Sequence, residues 1–294
     1  MLSVSIVGAG RMGGALAIAL SRRGFRVENL IHRNTDVPVA VIDSMKARPE
    51  VIEFDQIEQI TSQIIFITVR DREIKATAES LSSVIHGTPF VFHTSGSMSS
   101  VDLAVLANKG CRVGSLHPLI SISDPVSGSV LFDGAYFCVE GDLEAVAIAG
   151  QVVQALGGAL VTIPTDKKAL YHAAAVTASG HLVALIDVAM ELLSNCGIGK
   201  RDAQKVLMPL ISSTLTNLHT HSPEAALTGP FARGDLETVD SHLRSFESGI
   251  PEDIQAIYLA LGERSLSLAI EAGADPKAIE LLRDRISIAK RNSG

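Results

Sequence analysis

The chain has 294 residues, of which 47% are hydrophobic and 19% charged, which suits about two domains with a large buried core and excludes a disordered composition. A net charge of −7 without any Lys/Arg cluster argues against a nucleic-acid partner. Cys111, Cys138 and Cys196 lack C-x-x-C spacing, so they read as free thiols of a reducing compartment, and no metal site or disulfide framework is expected.

The first predicted elements are the most informative. A β-branched run, Val4-Ser5-Ile6-Val7, feeds Gly8-Ala9-Gly10-Arg11-Met12-Gly13, a G-x-G-x-x-G loop that opens an apolar helix stopping at Gly24. Strand, loop and helix follow in the order of a dinucleotide fingerprint. In it Gly8 permits the tight turn, Gly10 lets backbone N–H groups approach a pyrophosphate, and Gly13 lets helix and strand pack closely. The N-terminal stretch is expected to be a first strand and helix rather than a signal peptide, since a basic leading region is missing and Arg11 lies inside the loop. The second strand, residues 26–31, ends at His32-Arg33-Asn34-Thr35, where an NAD site usually places an acidic residue. A guanidinium there suits a 2′-phosphate and favours NADP, with Asn34 beside it. A solvated Arg33, with Asp36 serving NAD, is the alternative.

Residues 36–60 predict an irregular helix and a short strand near residues 51–54. A continuous apolar run over 62–69 predicts a strand buried on both faces, ending at Val69 and Arg70 where a cofactor crevice would lie. A helix over 73–85, a strand over 89–93, a helix over 100–109, strands over 112–118 and 135–139, a helix over 143–156 and a strand over 160–163 follow. This alternation predicts an α/β fold with a doubly wound, mostly parallel Rossmann sheet. After Pro164 the period is helical almost throughout. One long helix is expected over 167–195, apolar all round and therefore buried, then helices over 200–219, 239–247, 251–272 and 276–290. The domains are therefore expected at 1–164, dinucleotide-binding, and 165–294, all-α and concerned with substrate and dimerisation. The run 173–186 is too short and too polar to span a bilayer, so a cytoplasmic protein without a membrane partner is expected.

Polar residues interrupt the apolar pattern at three places. Lys168, His172 and Ser179 share one face of the long helix. Lys168 suits a proton donor to a carbonyl or imine being reduced, with His172 as its partner; a snorkelling lysine and a core imidazole are the structural alternative. The strand ends His93-Thr94-Ser95-Gly96-Ser97 and Leu116-His117-Pro118 belong beside the nicotinamide end of such a crevice. Ser95 and His117 are candidates for catalysis, and His93 and Ser97 for substrate binding, against capping of the following turns. Ser95 lacks a G-x-S-x-G elbow, which argues against a hydrolase. In Thr228-Gly229-Pro230-Phe231-Ala232-Arg233-Gly234-Asp235, a rigid loop between helices, Arg233 can bind a substrate carboxylate or pair with Asp235.

The glycine loop, His93-Thr94-Ser95-Gly96, Leu116-His117-Pro118, Lys168-x-x-Tyr171-His172-Ala173-Ala174-Ala175 and Gly229-Pro230-Phe231-Ala232-Arg233-Gly234-Asp235 together resemble a family of oxidoreductases that join a Rossmann-like domain to a C-terminal helical domain of unassigned function. That family is similar to pyrroline-5-carboxylate reductase, ketopantoate reductase, 6-phosphogluconate dehydrogenase and the β-hydroxyacid dehydrogenases. The resemblance implies NADP, hydride transfer, a small-molecule substrate and a homodimer formed through the helical domain. Lys168 matches the Lys of a K-x-x-x-N pair in several β-hydroxyacid dehydrogenases, while His172 replaces the Asn. The expected function is an NADP-dependent reductase of a small carboxylate-bearing keto acid or imine. A ketopantoate reductase and a non-catalytic NADP-binding sensor or scaffold are the alternatives.

Overall fold

A computed structural model describes residues 2–32, 37–247 and 249–292. The chain divides into two compact units, Met1–Gly180 and His181–Gly294. A composition-based division after Pro164 separates strands from helices; by packing, the first helix beyond Pro164 belongs with the sheet.

In the first unit, strands β1 (Ser3–Val7), β2 (Arg26–His32), β3 (Glu50–Glu53), β4 (Ile64–Ile67), β5 (Phe90–His93), β6 (Arg112–Pro118), β7 (Tyr136–Gly141) and β8 (Ala159–Thr162) form one sheet in the order β3-β2-β1-β4-β5-β6-β7-β8. Every residue of β1 and β4 is buried, as the continuous apolar run of β4 is expected to be when helices cover both faces of a parallel sheet. Helices α1 (Arg11–Arg22) and α3 (Leu143–Leu156) cover one face, over Ile6, Phe66, Phe92, Leu116 and Val139. Helix α2 (Ile74–Val84) covers the other with Leu103 and Leu106, over Ile67, Val91 and Val113.

β1 to β6 are mutually parallel, but β7 runs antiparallel to β6, and β8 follows β7. The chain therefore leaves β8 at the amino edge of the parallel strands. Helix α4 (Lys168–Ala178) carries it back toward their carboxyl edge. This ascent can be followed side chain by side chain. Thr165 donates to Glu140, the β7 residue opposite Ser115; Lys168 reaches Ser115; Tyr171, one turn later, reaches His117.

The expected single helix over 167–195 is broken. Ser179 has φ −120° and ψ −70°, ending α4 before α5 (Gly180–Asn195) begins. Thr177 and Ser179 donate their hydroxyls back to the carbonyls of Ala173 and Ala175, bonds that bend helices, and Gly180 follows. Nor is this run buried: Lys168 is the one buried residue among the described residues of α4 and α5. Apolar on more than one face, it presents more apolar surface than a single chain covers. Thr165–Asn195 is the one helical run among the described residues long and apolar enough to cross a membrane, by length and composition.

The second unit contains α6 (Lys200–Thr220), α7 (Leu236–Phe246), α8 (Glu252–Glu271) and α9 (Pro276–Asn292). Val239, Leu243 and Phe246 of α7 pack with Leu259 and Leu266 of α8 and Ile279, Leu282 and Ile286 of α9. The Gly229–Asp235 segment, expected as a loop, holds one helical turn, Pro230–Arg233.

The buried carboxylate of Glu140 accepts from the Ser100 N–H (2.8 Å), the Ser100 hydroxyl (2.7 Å) and the Thr165 hydroxyl (3.0 Å). It thus ties the turn after β5 and the entry to α4 onto β7. Glu140→Ala strands these donors, at about 1–3 kcal/mol for each one left buried without an acceptor. The expected loss in urea unfolding is about 3 kcal/mol or more, with Glu140→Gln milder because it keeps a carbonyl oxygen.

Candidate active site

At the carboxyl end of β1 the chain turns at Gly8, whose φ of +107° lies in the region only glycine adopts freely. The Gly8 and Ala9 N–H groups donate to the Ile31 carbonyl, and the Thr68 hydroxyl donates to the Gly8 carbonyl at 2.7 Å. A Cβ on Gly13 would lie 2.2 Å from Gly8 O and 2.4 Å from Thr68 Oγ1, whereas one on Gly10 would meet nothing within 4 Å. Gly13 is thus glycine for packing, and the space before Gly10 is open. Helix α1 starts at Arg11 with no side-chain cap. The N–H groups of Arg11, Met12 and Gly13 therefore find no acceptor in the helix they open, and with the helix dipole they make an anion cradle. Ala9 is buried and contributes backbone only; Arg11 and Arg70 are exposed, and Val69 packs against Gly8. Arg33, Asn34 and Asp36 lie outside the described residues.

Farther along the same edge, β6 and β7 place polar side chains on one face. Ser115 stands opposite Glu140 and His117 opposite Cys138, and directly opposed residues of an antiparallel pair share a face. Helix α4 lies over this ladder. Lys168 is 2% exposed, and its Nζ donates to Ser115 Oγ (2.8 Å) and to the Ser95 carbonyl (3.1 Å), 5.5 Å from the Tyr171 ring centroid. None of the ion pairs among the described residues includes it. Burial, the largest influence, holds its pKa below the usual lysine range. The Tyr171 hydroxyl is hydrogen-bonded to His117 Nδ1 at 2.8 Å. The rings of His117 and His172 meet edge to face at 5.9 Å, and His172 Nδ1 is buried without a partner. A pocket of about 350 Å³ opens between His117, Ile120 and Ser121 on one side and His172, Val176 and Ser179 on the other.

The structure thus unites four expected residues, Ser95, His117, Lys168 and His172, but redistributes their duties. Lys168, expected as the acid, is sealed beneath the site by its bonds to Ser95 and Ser115. Ser95, expected as catalytic, is a turn holder: its hydroxyl accepts from the N–H groups of Ser97 and Met98, and its carbonyl accepts from Lys168. His93, expected to bind substrate, is fully buried with both nitrogens committed, accepting from the Ser95 N–H at Nδ1 and donating from Nε2 to the Ser99 carbonyl. Ser97 donates to Asp71 at 2.8 Å. Arg233 belongs to the second unit, largely exposed and 3.8 Å from Asp235, the structural pairing weighed for it. Tyr171, Ser115, Cys138, Glu140 and Gly96 are the residues that sequence reasoning left out of the site. For Ser115, Cys138 and Glu140 the signal was periodicity: Ser115 and His117, like Cys138 and Glu140, are two apart on otherwise apolar strands.

Residues 1–118 match the Rossmann-like domain, and residues 135–265 match the domain of unknown function DUF2520. The chain joins a Rossmann-like domain to a DUF2520 domain. Among solved structures it is similar to a candidate NADP oxidoreductase of Bacteroides fragilis, with 22% identity over 90% of this chain and 98% of that one and a TM-score of 0.70. A Thermotoga maritima protein is 23% identical over 98% and 99% of the two chains, with a TM-score of 0.66. Plasmodium falciparum pyrroline carboxylate reductase, with NADP bound, is 9% identical over 91% and 98%, with a TM-score of 0.59. These likenesses establish the shared fold. No curated protein matches the chain.

His117 is pushed from 6.5 down to about 4, by burial first and then by the charges of Lys168 and His172; His93 is lowered too, chiefly by burial. Between pH 6.5 and about 4 the unfolded chain binds protons that folded His117 refuses, so stability falls as pH drops through that window. Thermal unfolding followed from pH 7 to 4 should show this decline, and His117→Asn should flatten it. Lys168→Met, which removes one cause, should raise the His117 pKa in a histidine NMR titration.

Proposed function

We propose that the chain is an NADP-dependent reductase that delivers hydride to a small carboxylate-bearing keto acid or imine. One observation carries this reading: an unpartnered anion cradle and a pair of imidazoles in an open pocket stand at the carboxyl edge of one parallel sheet, where open α/β sheets bind their ligands. The residues fit the cofactor. The Arg11, Met12 and Gly13 N–H groups would hold the pyrophosphate, Val69 and Arg70 would border it, and Arg33 with Asn34 would meet the 2′-phosphate. The NADP-bound Plasmodium reductase supports that choice. When bound, the nicotinamide supplies hydride.

The protein's own contribution is electrostatic. Hydride addition leaves negative charge on the substrate's heteroatom, and a neutral imidazole pointed at that atom stabilises it as it forms. His117 is kept neutral for this duty. Lys168 acts through others: it holds the Ser95 carbonyl and lends a fixed positive charge behind the His117 ring. A homodimer is part of the proposal, supported by the exposed Val183, Leu185, Val206 and Leu210 on α5 and α6.

Fluorescence titration tests the cofactor assignment. NADPH should bind more tightly than NADH, and Gly13→Ala should abolish binding of both because its Cβ collides with the Gly8 carbonyl. A charge-assisted hydrogen bond is worth about 1.5–3 kcal/mol, so Arg33→Ala should weaken NADPH roughly ten- to a hundredfold and leave NADH nearly unchanged. Equal losses for both nucleotides would refute the role of Arg33. NADPH oxidation over a panel of 2-oxo acids and cyclic imines tests the reaction, and tight binding without turnover would favour a sensor.

A further inference from the structure

One face of α4 reads Lys168, His172, Ala175, Val176 and Ser179, at the helical spacings that stack side chains above one another. The lysine is sealed below, and past His172 the face turns to small apolar groups. The other wall is the chain leaving β6, where the Leu119 N–H donates to the Tyr136 carbonyl at 2.8 Å and Ile120 packs against the core of the sheet. The pocket of about 350 Å³ lies between these walls. A cavity of roughly 150 Å³ already holds benzene, so a molecule of pyruvate's size would leave much of this one to water. No Lys, Arg, Asp or Glu belongs to its described lining, whose polar groups are the hydroxyls of Ser121 and Ser179 and the two imidazoles. His117, pushed down to about 4, is uncharged at neutral pH. Lys168 is no substitute, since it is 2% exposed and its Nζ is held by Ser115 and the Ser95 carbonyl. A carboxylate there would give up water without gaining a cation, whereas an apolar group gains by every methylene it hides.

We propose that this pocket holds the apolar body of the substrate, a group the size of a phenyl ring, while the carboxylate stays outside it, so that the substrate is a 2-oxo acid or imine bearing such a group rather than one of pyruvate's size. This deepens the reductase reading and rests on it. The occupant is substrate because His117 and His172, at the carboxyl edge of the sheet, line the same pocket. Its volume also falls among those of small-ligand sites, about 300–1,000 Å³, which are mostly apolar with a few polar groups. Ala175 sets the size limit. Its methyl leaves room that a longer side chain at the same helical position would fill, and Val176 beside it supplies apolar surface for the guest.

NMR of the full-length chain labelled at its Ala, Ile and Val methyls, without cofactor, tests this directly. Benzylpyruvate and its neutral counterpart benzylacetone should both move the Ile120, Ala175 and Val176 signals, and pyruvate at the same concentration should not. Each buried methylene favours binding about fourfold, so Ala175→Leu, which fills the pocket, should weaken both responses roughly tenfold or more. Val176→Ala, a truncation that any helix accepts, should weaken them severalfold. In NADPH oxidation the KM for benzylpyruvate should lie roughly tenfold or more below that for pyruvate, and Ala175→Leu should abolish the advantage. Equal methyl responses to pyruvate and benzylacetone, or no response to either phenyl compound, would overturn the proposal. So would an Ala175→Leu chain that binds them as before; a change in its mass by light scattering would then seat a second copy in the pocket. Methyl responses as expected, but without NADPH binding or turnover, would strike the reductase reading and leave the apolar site standing.

Discussion

A lysine ammonium without a carboxylate in contact sits at the centre of the first unit, and much of the local structure is arranged to tolerate it. Lys168 is compensated by a backbone carbonyl, a serine hydroxyl and the face of Tyr171, with Glu140 acting only through space. Burying a charge this way is expensive. What it gains is attachment of three segments, the turn after β5, strand β6 and helix α4, at a single atom. Burial first, and then the field of Lys168, lower the pKa of both His117 and His93.

The reversal of β7 against β6 makes this possible. Were the last two strands parallel to the rest, the chain would leave β8 at the carboxyl edge and α4 would descend away from it. The antiparallel turn instead starts α4 low, beside Glu140, and brings Lys168 and then Tyr171 past Ser115 and then His117. Helical and strand spacing match here: three residues along α4 rise about 4.5 Å and two along β6 about 6.6 Å, near enough for successive contacts.

Gly96 and Gly13 show two uses of the same residue. At Gly13 a side chain is excluded by backbone, where helix and strand meet behind the cofactor loop; at Gly96 it is excluded by the imidazoles of His117 and His172, which pack directly over it. The glycine loop announced itself by spacing. Gly96 did not, because nothing in His-Thr-Ser-Gly-Ser tells which side chains arrive from 21 and 76 residues away, the separations of His117 and His172.

Local chemistry was legible. The order of strand, glycine turn and helix, the buried runs of β4 and β5, and the helix stop at Gly157 follow from periodicity and backbone freedom, which neighbouring residues decide among themselves. Three of the resemblance motifs, those at His93, Leu116 and Lys168, likewise pointed to segments that meet at the site. The sequence by itself thus determined the α/β architecture, the cofactor turn and the list of polar residues needing an explanation. Only the tertiary structure decided which of them face the pocket. Lys168 and Ser95, 73 residues apart, are locked together beneath it; His93 is spent on its own loop; Tyr171 stands behind His117. Those outcomes depend on cross-strand register and on which turn of α4 lands over β6, and these are fixed by packing the whole sheet rather than by any segment alone.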